Sequence, residues 1–169
     1  MEFASAIRST FEPVVQSHLY PRSQIDIYVQ ILQQDGGILA ASINATTLAL
    51  ISAGISLFDY VCAITSGVHS THVLLDLTIL EENDVPHLTV AVMPRTKKVT
   101  LVLLETRIHS DRFEDMFRLA CEAGDTLHSE MRNAIRLHTA ELVDAMKGRL
   151  PIMDMSTRDQ DDDVDMKEV

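Results

Sequence analysis

Between Leu19 and Gly54 the pattern of apolar and polar positions changes period once. In the first part Ile25, Ile27, Val29 and Ile31 alternate with Asp26, Tyr28, Gln30 and Leu32, the period of a half-buried strand. Asp35-Gly36-Gly37 then supplies the backbone freedom of a tight turn. From there to Asp59 the chain carries no charge. Ile43 to Ser52 reads as a helix that is apolar on nearly every side, with Gly54 where a helix usually stops. Strand, glycine turn and buried helix would form the middle of the core.

The flanking patterns supply the layers around it. Phe3, Ile7, Phe11, Val14 and Val15 recur at helical spacing and predict a helix over 3–18. Strands are expected over Phe58–Ile64 and Val73–Leu77, with loops between them and over Leu80–His87. Leu88–Met93 and Val99–Leu104 read as a hairpin closed at Thr96-Lys97-Lys98. A long helix starts near Ser110 or Asp111, with a kink expected at Gly124 and Pro151 beyond its end. The order predicts an α+β domain, a mixed sheet with packed helices over residues 1–150, followed by an acidic disordered tail over 151–169.

Charge narrows the function classes. The chain of 169 residues has a net charge of −11. From Asp154 onward seven carboxylates face only Arg158 and Lys167, or −5, leaving −6 for the body. Such a body does not advertise nucleic-acid binding by itself, although partner chains can complete a basic channel. Cys62 and Cys121 lie in apolar surroundings and read as reduced core residues. The N-terminus lacks a signal peptide's apolar run. Six hydroxyl or amide side chains (Ser42, Asn44, Thr46, Thr47, Ser52 and Ser56) and three glycines within 36–58 argue against a membrane span there.

Few motifs carry chemistry. A glycine turn before a helix is the shape of a phosphate cradle, but such cradles add a hydroxyl or a cation after the glycines, and here Ile38 and Leu39 follow. Glu81, Glu82 and Asp84 read as a solvated acidic loop without a metal signature. The histidines are scattered, no H-x-x-x-H pair occurs, and no cofactor is implied.

YPRSQIDIYVQILQQDGG, INATTLALISAGISLFDYV, then LLDL, LEEN and AVMP, followed by a hairpin and a long helix, together resemble the ribonuclease PH family. The resemblance spans residues 2 to about 147 and implies that family's fold, of the ribosomal protein S5 domain 2-like kind. It also implies that the family's β-rich N-terminal half is missing here, so that the domain is N-terminally truncated. A chain so cut would expose apolar surface and strand edges. Active members hold phosphate with a Thr/Ser-Arg pair after the glycines, a helix arginine and two aspartates. Carried over by position, Arg8 matches the helix arginine as a possible phosphate or RNA contact. Ile38 and Leu39 replace the Thr/Ser-Arg pair, Glu82 stands at the first aspartate, and His87, or with a gap Asp84, stands at the second.

The resemblance therefore implies a degenerate site with no catalytic residue. The expected role is a non-catalytic ring subunit of the RNA exosome, supporting 3′-to-5′ RNA processing and degradation. Implied partners are other RNase PH-like ring subunits, cap proteins with S1 and KH domains, a separate hydrolytic nuclease and RNA threaded through the channel, with no membrane. Nucleus, nucleolus and cytoplasm are the implied locations. An active phosphorolytic exoribonuclease and a small α/β interaction domain are the alternatives.

Overall fold

The computed structural model describes residues 3–70 and 72–147. Its elements are α1 (Phe3–Phe11), α2 (Ile38–Ser52), β1 (Cys62–His69), β2 (His72–Leu75), α3 (Ile79–Asp84), β3 (His87–Met93), β4 (Lys98–Leu104) and α4 (Ser110–Lys147). The strands form one sheet in the order β2-β1-β3-β4. All three pairings are antiparallel, so the α+β expectation holds with an antiparallel sheet in place of a mixed one.

The sheet separates two apolar layers by the two-residue period of its strands. Ala63, Ala91 and Met93 face one side, where Ala6, Ile7 and Phe11 of α1 and Leu39, Ile43 and Leu50 of α2 cover them. Cys62, Leu88, Val90 and Val92 face the other side, against Met116, Ala120 and Met131 of α4. β3 lies between β1 and β4 and is buried from Leu88 to Met93. At about 25 cal/mol per Å² of apolar surface removed from water, this doubly covered strand is a main source of cohesion.

Residues 136–147 belong to a second unit, a run of helix whose residues are all exposed. The expected acidic tail and the boundary at 150 lie outside the described residues.

Several expectations are corrected. The helix predicted over 3–18 ends at Phe11, because Pro13 disfavours helical backbone at Glu12; a 3-10 turn follows at Ser17–Leu19. Val14 and Val15 are apolar for a different reason, since Val14 is fully buried and Val15 bridges to Leu57. α2 starts five residues earlier than predicted, directly after Gly37. It is also not buried all round, since Ala41, Ala45 and Ala49 face outward. The second strand starts and ends later than predicted, because Thr65 and Ser66 are buried and bonded, to Thr89 and to the Leu88 carbonyl, rather than part of a loop.

The predicted loop 80–87 contains α3. Glu81 accepts hydrogen bonds from both the backbone N–H and the hydroxyl of Thr78 at 2.9 Å, fixing the first turn. α4 runs unbroken through Gly124. A Cβ there would come within 2.7 Å of Val92 Cγ2, so this glycine provides close helix-to-sheet packing rather than a kink.

The strand predicted over 25–31 does not form. The segment carries no ladder, since no strand among the described residues pairs with it. Its alternation survives as exposure: Ile25, Ile27, Val29 and Ile31 are 37–53% exposed, whereas Tyr28 and Leu32 are 91% exposed.

Candidate phosphate site

The glycine turn is built for close approach. Gly36 has φ +94°, and a Cβ on it would collide with the Leu77 carbonyl oxygen and come within 3 Å of the Thr78–Ile79 backbone. Only glycine lets residues 36 and 37 lie against the chain segment after β2. Gly37, with φ +59°, is the N-cap of α2 and has no side chain to satisfy the helix's first N–H groups.

That role falls to α3. Glu82 Oε1 accepts a hydrogen bond from the Gly37 N–H at 2.8 Å, bridging 45 positions of sequence. The Thr78–Glu81 contacts hold the turn of α3 from which Glu82 projects. They also hold the Glu81 carboxyl below the usual carboxylate range, chiefly through the Thr78 N–H and then its hydroxyl. Asp76 adds a further acid, with its Oδ1 3.6 Å from where a Gly37 Cβ would stand. A carboxylate at a helix N-terminus is favourable, and a charge-assisted bond of this kind contributes about 1.5–3 kcal/mol.

The candidate residues sort accordingly. The turn and Glu82 meet directly. Ile38 is half-buried and Leu39 is buried in the α1–α2 layer, and neither side chain offers a donor to an anion. Arg8 is exposed on α1, with no side-chain hydrogen bond or ion pair among the described residues. His87 begins β3 opposite Gly67, and its Nδ1 is buried without a hydrogen-bond partner. Asp84 is exposed at the end of α3. Asp76 was missed by sequence reasoning; the LLDL stretch contains it, but only its place beside Gly37 gives it meaning. Among the described residues no group of three or more His, Cys, Asp or Glu side chains is placed to hold a metal, and no helix is long and apolar enough to cross a membrane.

Chemically, the arrangement is an anion cradle already engaged by an internal anion. The residues after the glycines supply neither cation nor hydroxyl, and the acids beside them repel a phosphate.

Known proteins share this frame. Residues 1–56 match the profile of the 3′ exoribonuclease family, domain 1, and residues 59–123 match domain 2 of the same family. The exosome complex component ski6 of Schizosaccharomyces pombe is 46% identical over 131 residues, covering 78% of this chain and 54% of that protein. The exosome complex component RRP41 of Homo sapiens is 40% identical over 141 residues, covering 83% and 58%. SKI6 of Saccharomyces cerevisiae is 37% identical over 149 residues, covering 88% and 61%. The chain thus spans less than two thirds of these relatives' length. The crystal structure of rice (Oryza sativa) Rrp46 superposes with a TM-score of 0.70 over 79% of this chain and 64% of that one, at 19% identity.

Proposed function

Because the chain belongs to the 3′ exoribonuclease, or RNase PH, family, we propose that it serves as a non-catalytic ring subunit of an RNA exosome. In that role it supports 3′-to-5′ RNA processing and degradation, including maturation of ribosomal RNA and decay of messenger RNA. Its partners are other RNase PH-like ring subunits, cap proteins with S1 and KH domains and a hydrolytic nuclease, and RNA passes through the assembled channel. The complex works in nucleus, nucleolus and cytoplasm. The relatives named as exosome components support the assembly.

One observation carries the non-catalytic half of the reading: the Glu82 carboxylate sits on the Gly37 N–H where a phosphate cradle would need an open donor. Phosphorolysis requires an incoming phosphate to be bound and its charge neutralised as it attacks the terminal linkage. Here the phosphate would have to displace a carboxylate tethered by α3. It would then lie beside Asp76 without help from Ile38 or Leu39.

The test joins assembly to chemistry. The chain, tagged at its C-terminus and expressed at native level, is purified with whatever accompanies it, and the components are identified by mass spectrometry. The recovered assembly is then given 3′-tailed RNA with and without inorganic phosphate. Ring and cap proteins should be recovered, with no phosphate-dependent release of nucleoside diphosphates. Such release, surviving inactivation of any hydrolytic nuclease present, would overturn the non-catalytic reading; absence of all ring proteins would overturn the subunit reading.

A further inference from the structure

The opposite end of α2 holds a second constellation, unrelated to the glycine turn. A cavity of about 580 Å³ opens there, within the 300–1,000 Å³ range of small-molecule sites. Ile51 and Ile55 contribute apolar wall, Phe58 and Tyr60 contribute rings, and Arg95, His128 and Arg132 contribute basic groups.

Three features give this cavity a ligand preference. First, its arginines are uncommitted. Both are exposed, and neither forms an ion pair among the described residues, whereas the neighbouring Lys97 is held by Asp125 at 2.6 Å and does not line the cavity. Second, the one carboxylate in the wall, Asp59, is occupied. Its Oδ2 accepts the N–H groups of Arg95 and Thr96 at 3.1 and 3.0 Å, and its Oδ1 accepts that of Tyr60 at 2.8 Å. Asp59 is 6% exposed, so it fixes the turn carrying Arg95 rather than neutralising the guanidinium. Third, Phe58 is 54% exposed, which leaves its ring open to stacking at the cavity wall. Tyr60 is braced edge-on against His128, with ring centroids 4.9 Å apart.

Two free guanidiniums with an exposed phenyl ring suit a ligand that joins a phosphate to a planar ring. Guanidinium takes phosphate through paired N–H bonds, and a base stacks on an aromatic face. An acidic peptide would use the cations but leave the rings idle. We propose that this cavity binds a nucleotide, with Arg95 and Arg132 holding the phosphate and Phe58 the base. The nucleotide is either a free nucleoside monophosphate or one unit of a single-stranded RNA. The inference stands apart from the ring-subunit reading: a chain that binds nucleotide here but joins no ring would break that reading and leave this one intact.

Calorimetric titration of the full 169-residue chain tests it, with adenosine monophosphate, adenosine, inorganic phosphate, a 5′-phosphorylated oligoadenylate and a hexaglutamate peptide as probes. Where the lone chain does not stay in solution, the affinity-purified assembly containing it is titrated instead. The monophosphate should bind at least about tenfold more tightly than adenosine or phosphate alone. Arg95→Ala and Arg132→Ala should each weaken it about tenfold, and Phe58→Ala about fivefold, with circular dichroism unchanged. Lys98→Ala removes the same charge away from the cavity and should change affinity less than about twofold. Tighter binding of the oligoadenylate would name RNA as the source; equal binding would name the free nucleotide. The proposal falls if neither nucleotide binds at millimolar concentration, if Lys98→Ala costs as much as the arginine variants, or if hexaglutamate binds as well as the monophosphate.

Discussion

The two ends of α2 are about 22 Å apart and have been finished in opposite ways. At the N-terminal end the glycine turn is pressed against the segment after β2, and Glu82 supplies the anion that a helix start favours. At the C-terminal end Gly54 turns through open space, and a cavity with two uncommitted arginines lies beside it. Both ends use glycine at positive φ, +94° at Gly36 and +74° at Gly54. Only the first glycine is also required by its neighbours. The ends thus separate conformational need from steric need, and a sealed site from an open one.

The largest expected effect comes from Gly36→Ala. The new Cβ would collide with the Leu77 carbonyl, which is backbone and cannot rotate away. Adding the strain of positive φ, a loss of about 3 kcal/mol or more in chemical denaturation is expected. A loss under about 1 kcal/mol would show that the turn is not held against Leu77.

Next in size is Glu82→Ala, expected to cost about 2 kcal/mol, with Glu82→Gln costing about half as much since it keeps an acceptor and loses the charge. Neither variant should gain phosphorolysis, because no cation replaces the carboxylate. Phosphate-dependent diphosphate release by Glu82→Gln would mean that the carboxylate alone had been blocking the site.

Gly54→Ala should cost only about 1 kcal/mol, the conformational part without the clash. Should it match Gly36→Ala, the contrast between the two ends would be lost.

The smallest effect at neutral pH concerns Cys62, whose thiol is pushed up to about 12 by burial and further by the carboxylates of Asp59 and Asp125. Its native value exceeds the ordinary 9.0, so the associated stability is complete below pH 9.0 and is lost as pH rises through about 12. Thermal melts should therefore drop across that window, and Cys62→Ala should flatten the drop. At pH 8 a disulfide-exchange reagent should modify the partly exposed Cys121 first and reach Cys62 only on unfolding.

Local signals were legible. The β3–β4 hairpin, the start of α4 and the stop at Gly54 all follow from nearby residues. The Thr78-x-x-Glu81 signature of α3 was also present, but the surrounding acids suggested a loop. Buried Thr65 and Ser66 were misassigned because their partners, Thr89 and the Leu88 carbonyl, lie on another strand. Of the candidate site, the absence of a hydroxyl or cationic side chain at Ile38 and Leu39, directly after the glycines, was readable directly. The bond from Gly37 to Glu82 was not, since no local pattern encodes a contact 45 residues long. The segment 25–31 is the converse case: the pattern states which side chains belong together, but a strand is a relation between two segments, and the described chain contains only one of them.

That solitary segment is also a clock. Among the described residues no backbone hydrogen bond engages the amides of 24–32, whereas those of β3 are tied on both sides. In heavy water the first set should exchange at the rate of a free peptide and the second only on unfolding. Arrival of any neighbour that adds a strand would slow the first set alone. A deuterium pulse at successive times would then time-stamp that arrival without a dye, a tag or a mutation.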